Sequence, residues 1–395
     1  AMVREARKRV SELNSIQLSS DVFEKALLSE IKSKSDRPSI ISSARPSNKM
    51  RIVFMRPRLS ASTIKRIIAI QNSPDVEVYI MCDVNKPRHE DLVKYLKGVK
   101  FIDNSIENQH VETYMKAVDS PNTIFYHFNH YFATSVIRYK GDMKGKLVQS
   151  FNDMFSRQNI EGKTGKVGFN TERKLWKACD GFITPNPQLI GTIKDIYGTN
   201  KPGMCVYLYG VPEFFQKPLP PPKKFSIVYG GTSGTRKYRN YEDIFSKIVS
   251  RDVFLNHYGN HMYDNIHSPY YIYRGQVSYF DLLNDYRKAT AGFFGYSKFY
   301  LSDGTLSCKY GLGNKIFDYL SAGIPIVCLD SFKLASKFVE ENEVGIVIDD
   351  GLELTSCHQK KLDAIRKTLP EKRKKFTTYS QTDETIDFFR RVLDR

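Results

Sequence analysis

The sequence predicts an α/β protein built from two doubly wound, Rossmann-like parallel-sheet domains facing across a cleft, with an N-terminal helical extension. Three observations carry this. Short apolar strands alternate with helices from residue 50, the alternation stops at the proline-rich stretch Pro212–Lys224, and it restarts at Phe225. Such alternation buries a parallel sheet beneath helices on both faces. A chain of 395 residues also exceeds one ordinary hydrophobic core, so two domains are expected.

The extension and its linker occupy residues 1–48. Val3, Ala6, Val10 and Leu13 recur at helical spacing, as do Phe23, Leu27 and Ile31 after Asp21, so the segment reads as one or two helices packing on the main body. Residues 35–48 read as a polar linker containing Pro38 and Pro46. The first domain, 49–211, has strand patterns at Arg51–Met55, Val76–Cys82, Val99–Ile102, Thr123–Phe128, Lys146–Phe151, Gly181–Thr184 and Met204–Tyr209. Helical patterns fall at Thr63–Gln71, Glu90–Lys97, Thr171–Cys179 and Gln188–Tyr197.

The break at 212–224 holds Pro218, Pro220, Pro221 and Pro222, which fit neither a helix nor a central strand, so it reads as the interdomain linker. The second domain, 225–380, has strands expected at Phe225–Tyr229, Val253–His257, Tyr270–Tyr273, Ala291–Phe294, Pro325–Leu329 and Gly345–Ile348. Its helices are expected at Tyr241–Ser250, Tyr279–Lys288, Asn314–Ala322, Leu334–Glu341 and Leu352–Thr368. The terminal segment, 381–395, carries an amphipathic helix at Asp383–Leu393 capped by Thr382, expected to pack back toward the first domain.

Composition removes several classes. The hydrophobic fraction is 41% and the charged fraction 26%, ordinary for a globular protein and unlike a disordered one. The longest apolar runs, such as Ile324–Leu329, are strand-sized and too short to span a bilayer. The N-terminal stretch, with Arg4, Arg7, Lys8 and Arg9 and no apolar block behind them, does not read as a signal peptide. Cys82, Cys179, Cys205, Cys308, Cys328 and Cys357 show no metal-ligand spacing, which fits a reduced, cytoplasmic setting. The net charge of +17 favours an anionic partner, but no zinc-finger or RNA-recognition signature accompanies it, so nucleic acid is not expected.

Ligands of doubly wound sheets sit beyond the carboxyl ends of the strands. In the first domain those loops carry Arg56 and Arg58, the acceptor-side candidates His127 and His130, and Asn152 with Asp153. The His127/His130 spacing could suggest a metal pair on a helix, but the segment belongs to a strand and its exit, so no metal is expected. In the second domain the loops carry Gly231 with Arg236 and Lys237, then Arg274, Gly275, Gln276 and Val277. The most informative is Gly311-Leu312-Gly313-Asn314-Lys315. Glycines opening a helix aim unpaired N–H groups, and the positive end of the dipole, into the cleft. Lys315 adds a full charge there, and Asp318 lies one turn on along the same face. A diphosphate over Gly313, Asn314 and Lys315 and a ribose hydroxyl on Asp318 fit this geometry.

At these residues the chain resembles the GT-B nucleotide-sugar glycosyltransferases, specifically the large retaining family of bacterial polysaccharide and mannosyl transferases (glycosyltransferase family 4-like). NKIFDYLSAGIPIV looks like that family's donor-site helix and following strand. CDGFITPNPQLIGTIKDIYG with VYLYGVP resembles the last strand–helix–strand of its first domain. RGQVSYFDLLNDYRKATAGFF resembles the stretch whose early backbone reads the nucleobase, which places that role on Arg274–Val277. The family's Glu-x7-Glu motif would fall on Tyr310 and Asp318, and its His-Asp pair on Asn152 and Asp153. Both depart from the pattern. The resemblance makes Asp153, Asn152 and Tyr310 the catalytic candidates and places a basic pair on the diphosphate, for which Arg236 and Lys237 are preferred to Arg239.

The resemblance implies transfer of a hexosyl or deoxyhexosyl group from a nucleoside-diphosphate-sugar to an acceptor hydroxyl, with retention of configuration, in glycan or polysaccharide assembly. The donor is then a co-substrate, and no cofactor or metal is expected. The acceptor is expected to be a growing glycan on a lipid or other carrier. Basic clusters at Arg4–Arg9 and Lys372–Lys375 would allow peripheral contact with an anionic membrane on its cytoplasmic face. Two readings stand beside this one: a GT-B epimerase or hydrolase of nucleotide sugars, and a non-catalytic basic protein binding polyanions or nucleic acid.

Overall fold

The computed structural model describes residues 48–83, 89–103, 111–152, 164–198, 201–234, 240–250, 253–295 and 312–395. The helical extension, Asp153, Arg236, Lys237 and Tyr310 lie outside them.

The first domain is a seven-stranded parallel sheet in the order β3-β2-β1-β4-β5-β6-β7. Its strands are β1 (Met50–Met55), β2 (Val76–Cys82), β3 (Lys100–Asp103), β4 (Thr123–Phe128), β5 (Lys146–Ser150), β6 (Gly181–Thr184) and β7 (Gly203–Cys205). Every residue of β1 and β4 is buried, as expected for central strands covered on both faces. The helices are α1 (Ala61–Gln71), α2 (Glu90–Val93), α3 (Val111–Val118), α4 (Ala133–Tyr139), α5 (Thr164–Ala178) and α6 (Pro187–Tyr197). Local chemistry sets their ends. Ser60 accepts from the Thr63 amide at the start of α1. Asn186 caps α6 ahead of Pro187, and Gly198 closes it in the left-handed region.

The second domain is a six-stranded parallel sheet in the order β10-β9-β8-β11-β12-β13. Its strands are β8 (Ser226–Gly230), β9 (Phe254–Tyr258), β10 (Tyr271–Gly275), β11 (Ala291–Phe294), β12 (Ile326–Leu329) and β13 (Gly345–Ile348). The helices are α7 (Glu242–Val249), α8 (Tyr279–Tyr286), α9 (Asn314–Ala322), α10 (Lys333–Glu341), α11 (Ser356–Lys372) and α12 (Thr382–Leu393). The last of these packs on the first domain: Phe389 lies edge-on to Tyr126, and Arg390 pairs with Asp75 at 3.3 Å.

Several boundaries differ from expectation, the helices expected at Thr171–Cys179 and Leu352–Thr368 running over Thr164–Ala178 and Ser356–Lys372, and three differences have a visible cause. The strand expected to reach Tyr209 ends at Cys205, because the Tyr207 amide turns to the Gln381 side chain instead of a neighbouring strand. The helix expected over Glu90–Lys97 ends at Val93, where Gln71 takes the Tyr95 carbonyl and the Lys97 amide. Thr382 is the first residue of α12, not its cap. A 3-10 turn over Thr378–Gln381 runs directly into the helix, and the Thr382 hydroxyl bonds back to the Thr378 carbonyl.

The proline-rich segment is tied to the second domain. The Gln216 amide bonds to the Ser321 carbonyl at 2.8 Å, and Arg373 and Arg366 of the C-terminal region bind the Gln216 and Leu219 carbonyls. Just before this segment, Gly210 lies against the C-terminal region, where the Thr378 amide donates to the Gly210 carbonyl at 2.8 Å. Phe214 is buried between Tyr95 of the first domain and Phe280 of the second, with ring centroids 4.8 and 5.1 Å away. One hydrophobic cluster therefore runs through both domains.

Candidate functional site

Both sheets reverse strand order once, between β1 and β4 and between β8 and β11. Loops leaving the two central strands diverge there and open a crevice. In the second domain those loops bring together Gly231, after β8, and the start of α9.

Gly231 has φ +149°, a backbone state open to glycine and costly for other residues. A β-carbon there would stand 2.6 Å from Lys315 Cε and 3.1 Å from its Nζ. The lysine stem thus lies directly against the loop backbone. Lys315 Nζ donates to Tyr229 Oη at 2.9 Å and sits 4.4 Å from that ring's centroid. Burial, aided by Tyr241, pushes the Tyr229 phenol well above its ordinary 10, so it remains a neutral acceptor for the ammonium. Gly313 is the N-cap of α9 and, being glycine, brings no capping side chain of its own to the helix start. Asn314 beside it is exposed.

Beneath the Gly231 loop lies a histidine the sequence reading missed. His257 Nε2 is 3.1 Å from Ser233 Oγ, which donates onward to the His261 carbonyl at 3.2 Å. Its Nδ1 is 2.9 Å from Tyr271 Oη. These partners suit a neutral imidazole carrying its proton on Nε2. Burial first, then the charges of His261 and Lys315, lower its pKa from 6.5 to about 4.

Asp318 sits one turn into α9 and is engaged across the cleft. Its Oδ1 accepts from Lys65 Nζ of α1 at 3.0 Å and from Tyr279 Oη of α8 at 2.7 Å. The Lys65 side chain is 1% exposed and that of Asp318 15%. Neither Lys65 nor Tyr279 was expected. A signal existed in the first case: Lys65 interrupts Ile64, Ile67 and Ile68 in an otherwise apolar helix face, and a buried lysine needs a partner.

The base-reading candidates fall at the end of β10 and the loop beyond it. Gly275 has φ +74°, Gln276 and Val277 are exposed, and Arg274 donates twice to Asn256 Oδ1 at 3.2 Å. A cavity of about 320 Å³ opens beside Arg274, walled by Asn256, Tyr258, Asp285 and Lys288. It lies alongside the expected base segment, and neither Lys315 nor Gly231 lines it.

On the first-domain side, Arg56 bonds to Thr63 at 2.9 Å and lies over the rings of Phe128 and Tyr131. Arg58 and His130 are exposed, and His130 stacks on Tyr131. His127 is placed differently from the expectation of a cleft-facing group. It is fully buried in β4, with Nδ1 2.6 Å from Gln149 Oε1 and Nε2 against the Tyr131 carbonyl. Burial lowers its pKa. It braces the wall behind Arg56 and cannot touch a ligand. Asn152 is half-buried and accepts from Ser150 Oγ at 3.3 Å. Among the described residues no group of three or more His, Cys, Asp and Glu side chains could hold a metal ion. None of their helices is long and apolar enough to cross a membrane.

No family model matches the chain, and no curated protein matches it. Solved structures do. Sucrose-phosphate synthase from Thermosynechococcus elongatus superposes with TM-score 0.64 at 10% identity, covering 88% of this chain and 100% of its own. HepE from Anabaena, solved with UDP and glucose, gives 0.61 at 12% identity, covering 86% and 98%. The N-terminal domain of trehalose-6-phosphate phosphatase from Candida albicans gives 0.59 at 10% identity, covering 89% and 98%. The likeness establishes the architecture: the chain has the GT-B glycosyltransferase fold.

Proposed function

We propose that the chain is a glycosyltransferase, moving a sugar from a nucleoside-diphosphate-sugar to an acceptor hydroxyl. The observation that carries this is the meeting of Gly231 and Lys315 at the second domain's switch point. A backbone that only glycine adopts comfortably, a lysine laid along it and a helix start capped by a glycine form a cradle for a diphosphate. That Anabaena HepE, a structural neighbour, was solved with UDP and glucose supports the same ligand class.

In this reading the leaving group is the nucleoside diphosphate. Negative charge develops on its β-phosphate as the glycosidic bond breaks, and Lys315 with the α9 amides stabilises that charge from fixed positions. Arg236 and Lys237, which follow β8 in sequence, are proposed to add to it, so that no metal is needed. Asp318 holds the ribose and the Arg274–Val277 backbone the base, both acting mainly in donor binding. The acceptor enters from the Arg56, Arg58 and His130 side, and Asn152, Asp153 and Tyr310 are proposed as the catalytic residues. Contact between the domains excludes water from the reacting pair.

The finer features are proposed on the family resemblance: retention of configuration, a hexosyl or deoxyhexosyl donor, and a lipid- or carrier-linked glycan acceptor at an anionic membrane face. The test is a screen of common nucleotide sugars. Release of nucleoside diphosphate from one donor, accelerated by a glycan acceptor, is expected. Stabilisation by any polyanion, abolished by salt and with no nucleoside diphosphate preferred, would overturn the proposal in favour of a polyanion-binding protein.

A further inference from the structure

Among the described residues a buried contact of opposite charges bridges the cleft. Lys65 reaches from α1 of the first domain to Asp318 on α9 of the second, at 3.0 Å. Tyr279 converges on the same oxygen from α8, at 2.7 Å. Lys65 Nζ also lies 5.7 Å from the Tyr279 ring centroid. A single carboxylate on a helix surface can turn about its side-chain torsions. Two donors on one oxygen remove that freedom.

The surrounding contacts hold the same face together. The Phe280 amide, next to Tyr279, bonds to Asp91 of the first domain at 3.0 Å. Tyr95 packs on Phe280 with ring centroids 5.6 Å apart. Tyr279 follows the Arg274–Val277 segment after one intervening residue, Ser278. The ribose carboxylate and the base segment are thereby anchored to the first domain through adjoining residues.

We propose that Lys65 is a positioning residue of the donor site: with Tyr279 it fixes Oδ1 of Asp318, so that the carboxylate meets the ribose hydroxyls only when α1 lies against α9. This rests on the glycosyltransferase reading, and specifically on Asp318 as the ribose group. Lys65 is itself too buried to touch a donor, so its influence passes through Asp318. The ribose site is then complete only in the arrangement where both domains contribute. By linkage, ribose binding and the α1–α9 contact strengthen one another.

The test compares each of UDP, GDP, ADP and CDP with its 2′,3′-dideoxy counterpart by calorimetry, on the native protein, Lys65→Met and Tyr279→Phe. The native protein is expected to prefer the ribo form of its nucleotide by about tenfold or more, the size of one hydrogen bond to a charged group. Each variant is expected to lose most of that preference by weakening the ribo form while the dideoxy affinity stays unchanged. A merely structural role would weaken both forms equally, and that result overturns the proposal. So does a variant that keeps the full preference. Tyr279→Phe removes one bond from a site that keeps its ion pair, and it carries the test should Lys65→Met not fold. A native protein that binds a nucleoside diphosphate without ribose preference sinks this inference alone. A native protein that binds none of the four sinks the glycosyltransferase reading with it.

Discussion

Lys315 Cε lies 2.6 Å from the position a β-carbon on Gly231 would occupy. A loop and a helix start far apart in sequence are thus packed so that one side chain fills the space another lacks. The relationship fixes where the ammonium stands. With Tyr229 Oη as its hydrogen-bond partner below and the loop backbone alongside, Lys315 has little freedom to leave the switch point.

Gly231→Ala is therefore expected to act twice. The φ of +149° strains any residue with a β-carbon, at a cost of about 1–3 kcal/mol. The methyl group also pushes Lys315 off the loop, which weakens nucleoside diphosphate binding. Gly234→Ala is the matched control, since a β-carbon there meets nothing within 4 Å. Urea unfolding and calorimetry on both variants check this. Equal behaviour of the two would remove Gly231 from the site.

Lys315→Ala is expected to cost on the order of 1.5–3 kcal/mol in nucleoside diphosphate affinity, the range for a charge-assisted hydrogen bond. Arg236→Ala should weaken binding in the same direction. Unchanged calorimetric affinity in both variants would eliminate the phosphate cradle.

The sheets were almost wholly legible in the sequence. Val76–Cys82, Thr123–Phe128 and Gly181–Thr184 run over the residues their apolar patterns predict, because parallel strands covered on both faces must be continuously apolar. The helix Asn314–Ala322 was equally clear from Gly313 before it and Gly323 after it. Boundaries failed where a side chain distant in sequence took over a backbone group, as Gln381 does for Tyr207. The site was legible where it rests on local chemistry, such as Lys315 in the first turn of a helix. It was not legible where a contact joins the domains. Lys65 among isoleucines announces that it needs a partner but not that the partner lies 253 positions away, and a histidine in β4 reads alike whether it faces the cleft or, as His127 does, the wall behind it.

Attachment to an anionic surface should depend little on the C-terminal cluster. Lys372 pairs with Glu343 and Lys374 with Glu371, both at 2.6 Å, and Arg373 is buried. Each basic residue free to approach such a surface contributes roughly 1 kcal/mol, but ion-paired or buried ones contribute less. Flotation with phosphatidylserine vesicles at low salt is expected to persist in a Lys372→Gln/Lys374→Gln variant, to weaken when Arg4, Arg7, Lys8 and Arg9 are neutralised, and to vanish at high salt. Protein that stays at the bottom of the gradient at both salts would end the membrane proposal and leave the cleft untouched.

His257 gives the fold a dependence on pH that can be separated from the carboxylates. Its pKa falls from 6.5 to about 4 on folding, so between those values the unfolded chain binds more protons than the native one. Stability then rises with pH across that window. The contribution is complete above the unfolded value, declines as the pH drops below 6.5, and is exhausted once the folded group titrates. By pH 5 the loss amounts to about 2 kcal/mol, before most carboxylates begin to protonate. His127, also buried with a lowered pKa, adds to the slope in the same direction. His257→Gln should consequently flatten part of the decline in urea midpoint between pH 7 and pH 5, and His127→Gln a further part. Protonation of His257 would also place a second positive charge beside Lys315 and turn Tyr271 Oη from donor to acceptor at Nδ1. If the His257→Gln midpoint falls between pH 7 and pH 5 as steeply as the native one, the neutral imidazole beneath that loop is wrong.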